Sequence, residues 1–171
     1  TTTYLEYGIN VVATGSLGTG SYCCRLPQTP RKGKSVKIIN GELLMDALKA
    51  KQPVVVALPH SGNWDHAAAY FLARGYKIAT VAERLKPERV FKAFLKYRQN
   101  IGMEILSTDM RTIPTLIERV KSGYIVPLVA DRDLSAKGIE VNFFGSVAKM
   151  PTGPVIIAEK ANADLIGAFV V

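Results

Sequence analysis

At 171 residues, 48% hydrophobic and 21% charged, the chain has the size and composition of one domain with a sizeable core, which excludes a disordered segment. No apolar run approaches the roughly 18 residues of a membrane span, and the first residues lack the basic start and apolar core of a secretory signal. The net charge of +8, from 22 Lys and Arg against 14 Asp and Glu, favours polyanionic partners: nucleic acid, anionic lipid headgroups or phosphorylated ligands, with a plain solvated basic surface as the alternative.

The first 35 residues are the least legible. Gly15, Gly18 and Gly20 interrupt them without forming a dinucleotide fingerprint or a Walker loop, and residues 27–34 (PQTPRKGK) make a basic, turn-rich connector. Adjacent Cys23 and Cys24 imply no disulfide framework, and nothing beside them activates a thiolate, so a reducing compartment is expected. From Asn40-Gly41-Glu42 onward the apolar residues Leu43, Leu44, Ala47 and Leu48 recur at helical spacing. Residues 54–58 read as a strand, a polar turn at 60–63 leads into a helix through Trp64, Ala67, Ala68 and Phe71, and residues 78–82 read as a second strand.

Lys86-Pro87-Glu88 opens the next helix, with Pro in its first turn and an apolar face of Val90, Phe91, Phe94 and Leu95. A short strand at 103–106, a helix at 112–121 stopped by Gly123, and a strand at 125–130 follow. Pro127 inside that strand predicts a bulge or an edge position. After a loop at 131–138 comes a strand at 140–144, then a helix opening at Thr152-Gly153-Pro154, then an apolar run at 166–171. The alternation predicts an α/β fold: a mostly parallel central sheet flanked by helices in an α/β/α sandwich. A single domain over 1–171 is expected, incomplete at its C-terminal end because the chain starts on Thr1 and stops within an apolar run.

In an open α/β sheet, ligands gather beyond the carboxyl ends of the strands. Here the strand at 54–58 is followed by Pro59-His60, that at 78–82 by Glu83-Arg84, and that at 125–130 by Asp131-Arg132-Asp133. If these strands are parallel neighbours, a histidine, several carboxylates and two arginines meet on one rim. Asp65 lies in the first turn of the helix after His60, where its carboxylate can approach the imidazole, fix its tautomer and leave the other ring nitrogen to take a proton from an alcohol. The alternative is that Asp65 favours the helix N-terminus and His60 is a loop histidine. Gly62 permits a close backbone approach in the turn. Ser61 lacks the Gly-x-Ser-x-Gly elbow of a serine nucleophile, and the spacing of His60, Asp65 and His66 matches no common zinc site, so no metal is expected. No basic run is interleaved with aromatics, which argues against a nucleic-acid partner.

Leu58-Pro59-His60-Ser61-Gly62-Asn63-Trp64-Asp65 resembles the His-x4-Asp block of the bacterial lipid acyltransferases, the lipid A and lysophospholipid acyltransferase family. Residues 81–87 (VAERLKP), 130–134 (ADRDL) and 143–145 (FFG) followed by Met150-Pro151 resemble its actinobacterial branch, the phosphatidylinositol mannoside acyltransferases. The likeness is clearest over residues 42–154 and weaker around 22–27. The resemblance implies a glycerolipid-acyltransferase-like fold, acyl-CoA (palmitoyl-CoA typically) as co-substrate with no cofactor, and a mannose hydroxyl of a phosphatidylinositol mannoside as acceptor. It also implies peripheral attachment to an anionic membrane surface on the cytoplasmic side of the plasma membrane.

Carried over by position, His60 is the base and Asp65 the motif carboxylate. Asp131 matches a second acid that hydrogen-bonds the histidine in that branch, so the division of roles between Asp65 and Asp131 stays open. Glu83, Arg98 and Arg132 match polar positions that would hold sugar hydroxyls and phosphate, a task suited to the arginine fork. The acyl chain requires an apolar groove, for which the faces bearing Phe71, Phe91 and Phe94 are candidates or plain core. The competing readings are acylation of another glycolipid or a lysophospholipid, and a non-catalytic domain that binds anionic lipid through its basic surface.

Overall fold

Three consecutive valines, Val54 to Val56, put β-branched side chains on both faces of a strand, and such a strand is stable only if both faces are covered. The computed structural model describes residues 9–13, 36–83, 86–133 and 138–170. Its elements in chain order are β1 (Ile9–Ala13), β2 (Val36–Ile39), α1 (Glu42–Lys49), β3 (Val54–Leu58), α2 (Trp64–Leu72), β4 (Lys77–Ala82), α3 (Glu88–Asn100), β5 (Glu104–Ser107), α4 (Thr112–Lys121), β6 (Tyr124–Val129), β7 (Ile139–Phe143), β8 (Ser146–Met150), α5 (Gly153–Ala161) and β9 (Asp164–Val170). A seven-stranded sheet has the order β2-β1-β9-β3-β6-β4-β5. Every pairing in it is parallel except that of β1 with the edge strand β2. The α/β class, the parallel sheet and the flanking helices agree with the sequence reading.

Side-chain alternation along β3 and β6 builds two cores. On one face Val54, Val56 and Ile125 pack with Leu44 of α1 and with Ala67, Ala68 and Phe71 of α2. On the other, Val55, Val126 and Leu128 pack with Leu116 and Val120 of α4 and with Ile157 and Ala158 of α5. Each fully buried Val, Leu or Ile side chain among them contributes about 1.5–3 kcal/mol relative to its exposed state. Helix α3 differs from expectation. It lies beside edge strand β5 and buries no residue fully; Phe91, Phe94 and Leu95 are half-buried, Val90 is exposed, and Pro87 is the N-cap rather than a first-turn residue.

Pro127 also departs from its predicted place. It sits in β6, a central strand, between β3 and β4. The ladder of β4 with β6 covers only Lys77↔Tyr124 and Ile78↔Ile125 and stops short of the proline, which has no N–H to extend it. There the hydroxyl of Thr80 donates to the Pro127 carbonyl at 2.6 Å and replaces a ladder bond. Outside the main sheet, β7 and β8 form a separate antiparallel hairpin. Strand β8 was not foreseen, because the turn joining the pair, Phe144-Gly145, carries positive φ at both residues (50° and 79°) without the Asn or Asp that usually marks such a turn.

Candidate active site

The register of the sheet sets the geometry. In the parallel pair β3–β6, Leu58 lies opposite Val129, and the Ala130 N–H extends the ladder by donating to the Leu58 carbonyl at 2.9 Å. His60 and Asp131 each stand two residues past those partners. They meet: His60 Nδ1 and Asp131 Oδ1 are 2.7 Å apart. The imidazole is half-exposed, with 52% of its side-chain surface open. Burial raises the Asp131 carboxyl, but hydrogen bonds from the His60 ring and from the backbone N–H groups of His60 and Asp131, with the charge of His60, outweigh it and hold Asp131 below the usual carboxylate range.

The turn carrying His60 is held at three points. Gly62 takes a positive φ of 59°. The Ser61 hydroxyl donates to the Val170 carbonyl of β9 at 3.0 Å. Asn63 caps α2, its side-chain oxygen accepting the His66 N–H at 3.0 Å. Asp65 does not serve the imidazole. Its carboxylate is turned to Arg98 of α3, accepting from Nε at 2.8 Å and from Nη2 at 3.3 Å. Both side chains are 14% exposed, and the Arg98 guanidinium lies 4.1 Å from the centre of the Trp64 ring. Burial, with the Asp65 charge, raises the neighbouring Tyr97 phenol against the opposing effect of Arg98.

Glu83 follows β4 and is exposed, as is Arg132 beside Asp131; both stand at the carboxyl edge of the sheet. Arg84, Cys23, Cys24 and the connector at 27–34 lie outside the described residues. Between α2 and the sheet lies a cavity of about 50 Å³ lined only by apolar side chains, including Leu58, Trp64, Phe71 and Pro127. Among the described residues, no three His, Cys, Asp or Glu side chains converge as metal ligands would.

Residues 24–171 match the family described as bacterial lipid A biosynthesis acyltransferase. The chain belongs to that family. It is similar to the phosphatidylinositol mannoside acyltransferase of Mycolicibacterium smegmatis, 39% identical over 138 residues, which is 79% of this chain and 45% of the relative. It is similar also to the proteins of that name from two strains of Mycobacterium tuberculosis, each 42% identical over 134 residues, 76% of this chain and 42% of theirs. The chain thus spans under half the length of these relatives. The stretch that places it in the lipid A acyltransferase family contains His60, Asp65, Glu83, Arg98, Asp131 and Arg132 together.

Two participants escaped the sequence reading. Trp64 was assigned to the apolar face of its helix, although a tryptophan next to Asp65 at a helix start is also placed to stack on whatever cation the carboxylate attracts. For Ser61 the local pattern raises only the question of a nucleophile, whereas its hydroxyl ties the His60 turn to β9, a neighbour that no local pattern announces.

Proposed function

We propose that the protein transfers a fatty acyl chain from acyl-CoA to a mannose hydroxyl of a phosphatidylinositol mannoside, with His60 as general base, at the cytoplasmic face of the plasma membrane. The observation that carries this reading is the 2.7 Å contact of His60 Nδ1 with Asp131. An Nδ1–H donated to the carboxylate leaves the Nε2 lone pair to accept a proton. The acceptor oxygen loses its proton to Nε2 as it bonds the thioester carbonyl carbon. The resulting oxyanion collapses, the C–S bond breaks, and the imidazolium returns the proton to the departing CoA thiolate. Asp131 stabilises the imidazolium between these steps. No covalent acyl-enzyme and no cofactor are needed.

Glu83 and Arg132 would bind sugar hydroxyls and phosphate, a role that their exposure on the same sheet edge supports, and the apolar lining of the cavity under α2 supports it as part of the acyl-chain site. The names of the relatives support the choice of acceptor.

The test is transfer of radiolabelled palmitate from palmitoyl-CoA to a panel of acceptors. His60→Ala is expected to lower turnover about a hundredfold or more with the fold intact. Near-normal transfer by a folded His60→Ala protein overturns the mechanism. Transfer to lysophospholipids but not to mannosides overturns the acceptor. Binding to anionic vesicles without any transfer leaves a lipid-binding domain.

A further inference from the structure

The β7–β8 hairpin has no counterpart in the mechanism, and its surface is anomalous for a water-exposed turn. Phe144, at the tip, is 95% exposed, and its neighbours Phe143 and Val147 are 52% and 66% exposed. The two phenylalanine rings meet edge to face, 4.8 Å apart. A two-residue turn with positive φ at both positions is usually built from Asn, Asp or Gly, and a bulky side chain at φ 50° is disfavoured. Local structure thus gives no reason for Phe144, which stays almost fully exposed even with the Phe143 ring against it. Along the hairpin, the cross-strand register puts Glu140 opposite Lys149, so the one charged pair lies toward the base and residues 141–148 carry no charge.

The surroundings supply the complementary half of the pattern. The parallel topology brings the start of α3, the loop before α4 and the end of β6 to the same edge of the sheet. Lys86, Arg89, Arg111 and Arg132 are exposed there, and none forms an ion pair with a described residue. The chain as a whole is basic, at +8. Cations on the sheet edge from which the hairpin departs, together with its uncharged, exposed aromatic tip, match an anionic bilayer: the tip enters the headgroup–acyl boundary while the cations remain at the phosphate level. We infer that the β7–β8 hairpin is a membrane-inserting element, with Phe143 and Phe144 as the buried anchors and the cationic edge carrying His60 held against the bilayer. This deepens the proposed lipid acylation by supplying the route from bilayer to site, and its test does not depend on turnover.

The experiment is co-sedimentation of the protein with vesicles of phosphatidylcholine alone or mixed with phosphatidylglycerol. Binding to the mixed vesicles is expected, with a loss of about tenfold or more when Phe143→Ser and Phe144→Ser are combined, the scale of withdrawing aromatic surface from an apolar phase. Should the double variant fail to fold, Phe144→Ser alone serves, because that side chain touches almost nothing in the protein. Tryptophan at the tip, as F144W, is expected to be quenched by brominated phosphatidylcholine beyond the signal of native Trp64. Unchanged binding by a folded Phe144→Ser protein, or an unquenched F144W, overturns the proposal. So does a dimer in solution that dissociates on Phe144→Ser while vesicle binding persists, since the tip is then a contact between copies. Loss of acyl transfer with vesicle binding and quenching intact refutes the catalytic reading and leaves this one standing.

Discussion

The Asp65 carboxylate grips Arg98 through two hydrogen bonds, 2.8 and 3.3 Å long, and thereby joins the first turn of α2 to the last turn of α3. With both side chains 14% exposed, this is a largely desolvated pair. The two carboxylates near His60 therefore have different work: Asp131 bonds the imidazole, and Asp65 fastens one helix to another.

That division is measurable. Removing one member of a buried pair strands the other without compensation, at a cost of about 3–5 kcal/mol, whereas removing both costs less than the sum. Asp65→Ala and Arg98→Ala are each expected to destabilise the protein by about 3 kcal/mol, less any relief from the remaining exposure, and their combination by clearly less than both together. Urea unfolding of the three variants measures the coupling. Additive losses would show that the contact contributes nothing beyond its parts.

Asp131→Asn should behave in the opposite way, sparing the fold and lowering turnover, since an amide can still accept from Nδ1 but cannot balance an imidazolium. Its effect on stability is expected to depend on pH with a definite sign. The folded-state pKa of Asp131 is depressed, so its contribution is fully present above the unfolded carboxyl value of about 3.9 and is lost as pH falls through the folded value. The Tm difference between the native protein and Asp131→Asn should hold from neutral pH to about pH 4 and close below it. A gap that widened below about pH 4 would mean that the carboxyl is stabilised in its protonated form.

Most of the fold was legible because its elements are locally consistent. Residues 54–58 and 112–121 were read with the boundaries that β3 and α4 have, since a β-branched run and a helical period each admit one assignment. What escaped depended on partners distant in sequence. Nothing local says that the β4–β6 ladder stops short of Pro127, or that Ser146 to Met150 pairs back across a turn with phenylalanine in it. The site divides the same way. His60 was found from its place at a strand end, but local spacing favoured Asp65 as its partner. The contact with Asp131, 71 residues away, follows from the register of β3 with β6.

Thr80 is 5% exposed and donates its hydroxyl to the Pro127 carbonyl at 2.6 Å. Proline cannot donate to a ladder, so a central strand tolerates it only where the neighbour has moved away or another group makes the bond. Here the β4–β6 ladder stops at Ile78↔Ile125, and the Thr80 hydroxyl, two residues further on, supplies the Pro127 carbonyl with a donor. Valine nearly matches threonine in shape but has no donor. Thr80→Val would leave the carbonyl buried and unsatisfied, at a cost of about 1–3 kcal/mol. Thr80→Ser keeps the donor and loses one methyl group, about 1 kcal/mol or less in a well-packed site. The order of urea midpoints is therefore expected to be native, then Thr80→Ser, then Thr80→Val. A Thr80→Val protein as stable as the native one would mean that the Pro127 carbonyl finds another donor without the hydroxyl.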